Sequence, residues 1–255
     1  MLEMFDLSGK KAIITGAAGN LCKGMAEALH DAGAEVVIMD LLDKGADTAA
    51  EIGKTGAPAH FVKVNLRDRE DLITKFKQAM DKLGGHIDIL INGAGAIKNN
   101  AVEDYSDEEW DMVIDINLTA AFMLCQLAGR EMLKQGSGKI INVASMLAFF
   151  GGYRVPSYAA SKGALAQLTK TLCNEWASRG INVNAIAPGY METSFNAHIL
   201  PDVNPERYNS ITERIPAGRW GCPEDLKGLA VFLSSRASDY INGAVIPCDG
   251  GYLVR

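Results

Sequence analysis

The stretch KKAIITGAAGNLCKGMAEALH, residues 10–30, joins a strand pattern, a glycine turn and a helix pattern. Residues 10–15 are mostly apolar, as in a strand that is covered on both faces. After the turn, apolar residues recur every three or four positions until Gly33, which is a typical helix stop. A helix that begins directly after a strand and a glycine turn offers unpaired amides to a phosphate. The stretch therefore predicts a strand, loop and helix unit that binds a phosphate group.

Six further apolar runs follow, separated by helix-like segments. They lie at residues 35–40, 60–65, 87–92, 139–145, 181–187 and 244–249. This alternation implies right-handed crossovers and an α/β fold with a doubly wound parallel sheet of about seven strands. No linker or low-complexity segment divides the chain, so we expect a single Rossmann domain over residues 1–255. Ligands of such sheets bind beyond the carboxyl ends of the strands.

The composition favours a soluble protein with a small-molecule partner. The net charge is −6 and the basic residues are scattered, which argues against binding to nucleic acid or to an anionic membrane. The five cysteines form no C-x-x-C pair and no Cys/His ligand spacing, so we expect neither a disulfide framework nor a metal site. We also expect no membrane-spanning segment and a cytoplasmic location.

One segment interrupts the alternation of strands and helices. Residues 190–214, YMETSFNAHILPDVNPERYNSITER, are polar and contain two prolines. An insertion of this length between a strand and a helix is often a binding loop, and we interpret it as a substrate lid. The alternative is a helical hairpin on the surface.

The second strand ends in a residue that bears on cofactor choice. Asp40 lies 24 positions after Gly16, close to the offset at which a carboxylate binds an adenosine ribose. That carboxylate would repel a 2′-phosphate, and Leu41 and Leu42 follow it with no basic residue, so NAD is favoured over NADP. Alternatively, Asp40 caps the next helix. The small residues after Asn92 could approach a ribose closely, or form an ordinary glycine turn.

A tyrosine and a lysine form the strongest catalytic candidate. Tyr158 and Lys162 lie one turn apart in a helical pattern, and Ser145 ends the fifth strand 13 residues earlier. An ammonium beside a phenol favours the phenolate, so we expect Lys162 to lower the pKa of Tyr158. The Ser145 hydroxyl could bind a carbonyl or alcohol oxygen beside the tyrosine. A helical Tyr/Lys pair on its own is usually a solvated contact.

These motifs together resemble the short-chain dehydrogenase/reductase family over essentially the whole chain. The resemblance rests on TG with a small-residue loop, NGAG, a serine before YAASK, and APG after the next strand. It implies a catalytic set of Asn117, Ser145, Tyr158 and Lys162, with no metal. It also implies that a nicotinamide cofactor contacts Gly16, Gly19, Asn20, Leu21, Asp40, Asn65, Leu66, Asn92, Ala94, Gly95, Tyr158, Lys162, Pro188, Gly189 and Thr193. Thr193 is implied to bind the amide group of the nicotinamide.

The phosphate-binding loop departs from the family pattern T-G-x-x-x-G-x-G. Asn20 and Cys22 stand where the second and third glycines are expected. Asn visits left-handed backbone conformations readily, and Cys is small enough for close packing of helix on strand. We expect Gly19, one position early, to restore the freedom of the loop.

Several segments resemble a narrower group, the sugar-acid dehydrogenases, typified by 2-dehydro-3-deoxy-D-gluconate 5-dehydrogenase and closely related to gluconate 5-dehydrogenases. They include residues 144–162, 174–193 and 214–228. Arg154, four residues before Tyr158, could hold a sugar-acid carboxylate, and Lys98 could supply a second positive charge. The alternatives are a structural salt bridge for Arg154 and a solvated surface lysine for Lys98.

Two other functions share these features. A 3-oxoacyl carrier-protein reductase would normally use NADPH and dock an acidic carrier, for which the chain has no obvious basic patch. A non-catalytic NAD sensor would not need the whole catalytic set. The family resemblance also implies a homotetramer formed through two long helices, around residues 107–135 and 157–179.

Overall fold

Parallel strands form the centre of the computed structural model, which describes residues 2–255. Within that range the sheet has seven strands in the order β3-β2-β1-β4-β5-β6-β7. The strands are β1 (Lys11–Thr15), β2 (Glu35–Asp40), β3 (Ala59–Lys63), β4 (Ile89–Asn92), β5 (Gly138–Val143), β6 (Ile181–Pro188) and β7 (Val245–Cys248). The predicted α/β fold and parallel sheet are confirmed. Met1, part of the predicted domain, lies outside the described residues.

Helices cover both faces of the sheet. They are α1 (Asn20–Asp31), α2 (Lys44–Ile52), α3 (Arg69–Lys82), α4 (Asp107–Ile114), α5 (Ala120–Gln135), α6 (Pro156–Trp176), α7 (Pro205–Thr212) and α8 (Glu224–Ser234). Helices α1, α2 and α8 contribute to one apolar core, and α3, α5 and α6 contribute to the other. Ile13 and Ile14 are both fully buried yet belong to different cores, which explains why the first strand is apolar almost throughout.

The topology reverses between β1 and β4, and this places two loops side by side. β1 pairs with β2 on one side and with β4 on the other, all in parallel. The turn after β1 therefore lies beside the turn after β4 at the carboxyl edge of the sheet. In doubly wound sheets such a switch point is the usual ligand crevice.

One helical stretch in the described residues, 107–135, contains a segment that is long and apolar enough to cross a membrane. In this fold it packs as α4 and α5, and Ala120, Leu124 and Ala128 are buried in the core beside β4 and β5. It is thus a core helix of the sheet protein.

Candidate active site

The turn after β1 requires glycine at one position. Gly16 has φ of +82°, and a Cβ placed there would lie 2.7 Å from the backbone nitrogen and Cα of Ala94. Both the left-handed backbone and the close approach exclude a side chain. The turn after β1 and the turn after β4 are therefore in direct backbone contact.

Two expectations about this loop are wrong. Gly19 has φ −87° and ψ 145°, an extended conformation open to any residue, so it supplies no special freedom. Asn20 is not left-handed, since it is the first residue of α1. The helix begins directly at Asn20, so the loop needs only the one left-handed residue at Gly16.

The start of α1 presents unpaired amides. Gly19 precedes the helix and gives no side-chain cap. Among the described residues 2–255, the amides of Asn20, Leu21 and Cys22 donate to no backbone or side-chain acceptor. Unpaired helix N-terminal amides bind anions, so this end of α1 fits the pyrophosphate of a dinucleotide.

Side chains lock the two turns together. The Thr15 Oγ1 accepts hydrogen bonds from the amides of Gly93 and Ala94, each at 3.1 Å. The Cys22 thiol donates to the Gly93 carbonyl at 3.3 Å, and burial raises its pKa to about 12. Cys22 packs closely against β4, as its small size led us to expect, and it stays a neutral thiol.

Asp40 is fixed across from the glycine turn. Its Oδ2 accepts from the Ala18 amide at 2.9 Å, and its Oδ1 accepts from the Leu42 amide at 3.0 Å. It does not cap the next helix, because α2 begins at Lys44 after Asp43. The carboxylate thus lies beside the loop that fits a pyrophosphate, where it can accept from a ribose hydroxyl.

The other predicted cofactor residues also lie at the carboxyl edge. Asn65 and Leu66 follow β3, and the Asn65 side chain accepts from the Arg67 amide. Pro188 ends β6, and Gly189 donates to the Cys248 carbonyl at 3.0 Å. Thr193 is buried and precedes the short helix at Ser194–Ile199.

Asn92 differs from this set because its side chain faces the core. Its Nδ2 donates to the Asn142 Oδ1 at 2.9 Å and to the Cys125 sulfur at 3.1 Å. Only its backbone is therefore open to a ligand. The small residues Ala94 and Gly95 follow it at the surface of the crevice.

Tyr158 and Lys162 lie on α6 as the spacing predicts, and the Lys162 Nζ is 5.6 Å from the centre of the Tyr158 ring. Lys162 is buried, and its Nζ donates to the Val143 carbonyl at the end of β5 at 2.6 Å. Ser145 is buried two residues further along, and its Oγ accepts from the Leu147 amide at 3.1 Å. The tyrosine, lysine and serine meet at one point of the sheet edge.

Asn117 occupies a π turn, Asp115–Thr119, between α4 and α5. Its Nδ2 donates to the Ala96 carbonyl at 2.9 Å and to the Ser161 Oγ at 3.1 Å, and its Oδ1 accepts from the Ala96 amide at 2.7 Å. It thereby ties the loop after β4 to α6. Nothing in the sequence pattern indicated the π turn, although such turns are frequent at functional sites.

The prediction that Lys162 lowers the pKa of Tyr158 is wrong. Burial of the phenol raises the pKa of Tyr158, and the nearby Ser145 hydroxyl acts in the opposite direction. Burial also lowers the pKa of Lys162 from 10.5 to about 8. Desolvation outweighs the attraction because the ammonium binds the Val143 carbonyl rather than the phenol oxygen.

Arg154 has the one left-handed backbone among the non-glycine residues of 2–255, with φ of +63°. Its carbonyl accepts from the Asn100 amide at 3.0 Å, which joins its loop to the loop of Lys98. Arg154 and Lys98 are exposed, and in the described range neither forms an ion pair. The structural salt bridge considered for Arg154 is thus absent from residues 2–255. Backbone strain of this kind concentrates at functional sites.

The segment 190–214 folds as two short helices, Ser194–Ile199 and α7, close to the hairpin alternative. Ile199 and Ile211 are buried beside Trp220, which anchors the segment. The Phe195 ring lies 5.9 Å from the Tyr158 ring, centre to centre, a contact that no sequence pattern indicated. The segment therefore reaches the candidate catalytic residues.

Comparison with known proteins agrees with this geometry. The profile of a family described as Enoyl-(Acyl carrier protein) reductase matches residues 16–253. The chain is 44% identical to a 2-dehydro-3-deoxy-D-gluconate 5-dehydrogenase of Bacillus subtilis (strain 168), over 99% of this chain and 98% of that one. It is 43% identical to the enzyme of that name from Escherichia coli (strain K12), over 100% of both chains.

A solved structure shows the same fold. A gluconate 5-dehydrogenase from Burkholderia cenocepacia J2315, in complex with NADP and tartrate, matches with a TM-score of 0.94 and 34% identity. The match covers 100% of this chain and 99% of that chain. The whole of the described fold is therefore shared with a dehydrogenase that holds a dinucleotide.

Proposed function

The chain belongs to the short-chain dehydrogenase/reductase family, and we propose that it interconverts the C5 hydroxyl and C5 ketone of 2-dehydro-3-deoxy-D-gluconate. It is an oxidoreductase that acts on CH–OH groups, as its curated relatives are. The observation that carries the proposal is the convergence of Tyr158, Lys162 and Ser145 beside the anion-binding start of α1. The full-length similarity to enzymes of this name supports the choice of substrate.

The proposed roles follow from where each side chain lies. When bound, a nicotinamide cofactor supplies the hydride acceptor or donor. Tyr158 gives a proton to the ketone oxygen in reduction and takes it from the alcohol in oxidation. Ser145 holds the same oxygen by a hydrogen bond. Because burial keeps the phenol protonated, the resting protein is poised to donate the proton.

Lys162 and Asn117 support this proton transfer. The Lys162 ammonium can leave the Val143 carbonyl to hold a ribose hydroxyl, and its charge would then favour the phenolate. Asn117 holds the Ala96 backbone and Ser161, so its proposed role is to keep the loop after β4 in register with α6. We further propose, as the family resemblance implies, that Asn117 helps to hold a water molecule that relays protons.

We propose NAD as the preferred cofactor. Asp40 is held by two backbone amides at the sheet edge, and its charge opposes a 2′-phosphate. The exposed residues that follow it, Leu41 and Leu42, offer no positive charge. The structural relative from Burkholderia cenocepacia was solved with NADP, so the preference has to be measured on this chain.

Arg154 and Lys98 are the proposed anchors for the substrate carboxylate. Both are exposed cations without an acidic partner in residues 2–255, and Asn100 joins their loops. A guanidinium binds a carboxylate through two parallel hydrogen bonds. The segment 190–214 is the proposed lid over this end of the site.

The assembly and location are also proposals. Trp110 on α4 and Phe122 on α5 are exposed apolar residues, which supports a homotetramer formed through the long helices. The five cysteines are free, which supports a cytoplasmic location. Light scattering coupled to size-exclusion chromatography tests the tetramer, since an elution mass of one chain would contradict it.

A substrate panel tests the function. Purified protein is incubated with NAD or NADP and with 2-dehydro-3-deoxy-D-gluconate, gluconate or a neutral polyol, and the reduced cofactor is followed by absorbance. We expect the largest kcat/KM for the 3-deoxy acid with NAD. Gluconate as the better substrate would favour gluconate 5-dehydrogenase, which the match to the Burkholderia enzyme supports as second candidate.

A further inference from the structure

The lid places an aromatic ring on the candidate catalytic tyrosine. The Phe195 and Tyr158 ring centres are 5.9 Å apart, with an angle of 48° between the ring planes. This is the tilted geometry of a favourable aromatic pair. The Phe195 ring is therefore an apolar neighbour of the group that would bind the substrate oxygen.

Phe195 is not needed to hold the lid in place. It remains 40% exposed, whereas the apolar cluster under the lid consists of Ile199, Ile211, Ile215 and Trp220 with three partly buried tyrosines. Asn196 fixes the backbone beside it, because its Nδ2 donates to the Met191 carbonyl at 2.8 Å. The ring thus stands on an anchored segment, beside Tyr158 and partly exposed to solvent.

The polar groups beside Tyr158 serve the reacting oxygen. Ser145 lies near its hydroxyl, and the Lys162 Nζ donates to Val143. Phe195 has no hydrogen-bonding group. A substrate hydroxyl pressed against its ring would lose water without gaining a partner, whereas a methylene would lose nothing.

We propose that Phe195 is a specificity-determining residue that selects sugar acids with a methylene near the reacting carbon. In 2-dehydro-3-deoxy-D-gluconate, C3 is a methylene two bonds from C5, whereas gluconate carries a hydroxyl at that carbon and a second hydroxyl in place of the C2 ketone. The ring packs against the methylene and disfavours the hydroxylated carbon. This inference rests on the proposed sugar-acid function and identifies Phe195 as the residue that discriminates between its two candidate substrates.

The test is a ratio of kcat/KM values, 3-deoxy acid over gluconate, measured with NAD on one preparation of each variant. Any loss of folded protein cancels in this ratio. We expect a wild-type ratio of roughly ten or more and a roughly tenfold smaller ratio for Phe195→Ala. Phe195→Leu keeps an apolar wall and should hold the ratio within about threefold of wild type.

Two further variants sharpen the result. Phe195→Asn introduces a hydrogen-bonding amide, so kcat/KM for gluconate should rise relative to Phe195→Leu. Tyr240→Ala is the matched control, because it removes a fully exposed aromatic ring far along the chain from the lid and should leave the ratio unchanged.

The outcomes separate the two proposals. Wild-type protein that oxidises both acids, with the same ratio in Phe195→Ala, overturns the role of Phe195 alone. Wild-type protein that oxidises neither acid contradicts the proposed function and this inference with it. The assignment is supported if the ratio is lower than wild type in Phe195→Ala, close to wild type in Phe195→Leu and equal to wild type in Tyr240→Ala.

Discussion

The Cys22 sulfur occupies the space beside Gly93 that a side chain at position 93 would need, and its thiol donates a hydrogen bond to the Gly93 carbonyl. Cys22 lies in the first turn of α1, directly after the turn that follows β1, and Gly93 lies in the turn after β4. The cysteine that stands at a glycine position of the family pattern is thus matched by a glycine across from it. The two positions form a complementary pair.

This pairing predicts a coupling between the two sites. Gly93→Ala should lower the free energy of unfolding by roughly 1–3 kcal/mol, because its Cβ collides with the Cys22 sulfur and, at 2.8 Å, with the Thr15 carbonyl oxygen, and only the first collision is removed by Cys22→Gly. In the Cys22→Gly background the same change should cost less, and chemical denaturation of all four proteins measures the difference. An equal loss of unfolding free energy from Gly93→Ala in both backgrounds would show that the two positions do not interact.

Gly16 and Gly19 should respond in opposite ways to alanine. Gly16→Ala places a Cβ against Ala94 in a left-handed backbone, so NADH binding measured by fluorescence titration should weaken by at least tenfold. Gly19→Ala is the matched control: its backbone is ordinary, and because alanine is a poorer N-cap than glycine and its Cβ would lie 3.3 Å from the Gly16 carbonyl oxygen, the change should cost about 1 kcal/mol of stability without the larger loss of NADH binding. Comparable loss of binding in both variants would contradict the assignment of the left-handed residue.

Much of this architecture follows from local pattern. All seven strands lie within two residues of the apolar runs that predicted them, because a strand covered on both faces must be apolar. The spacing of Tyr158 and Lys162 likewise fixes their common helix face. Gly16 is recognisable because only a glycine suits a tight turn between strand and helix.

The errors arise where tertiary structure decides. The pKa of Tyr158 depends on burial and on the bond from Lys162 to Val143, and neither is encoded in a local spacing. The conformation of Asn20 depends on where α1 begins. Phe195 went unnoticed because nothing in the sequence distinguishes it from the other apolar residues of its segment, and its contact with Tyr158 exists only in the folded chain.

Arg154 should affect the binding of acids specifically. Arg154→Gly accepts the left-handed backbone without strain and removes the guanidinium. We expect KM for a sugar acid to rise by roughly tenfold or more, while KM for a neutral polyol changes little. For Arg154→Lys, KM for the sugar acid should lie between the values for the wild type and for Arg154→Gly, because an ammonium keeps the charge but not the paired hydrogen bonds. Equal effects on acid and polyol would exclude the carboxylate role.

Burial of Lys162 should appear in the pH dependence of stability. Its folded pKa of about 8 lies below the ordinary 10.5, so between these values the unfolded chain holds a proton that the folded chain has lost. Unfolding then takes up a proton, and a rise in pH favours the folded state. Relative to Lys162→Met, the free energy of unfolding of the wild type should rise by about 3 kcal/mol from pH 8 to pH 10.5. A difference that is constant or falls with pH would contradict this burial.

Oxidation at C5 of a 3-deoxy sugar acid, with Tyr158 as the proton-transfer group, can be followed by carbon NMR of the product formed from 2-dehydro-3-deoxy-D-gluconate and NAD. Tyr158→Phe is the matched control. We expect a new ketone signal at C5 for the wild type, in step with NADH formation, and a rate at least about a hundredfold lower for Tyr158→Phe. A ketone at another carbon, or full activity without the Tyr158 hydroxyl, would contradict it.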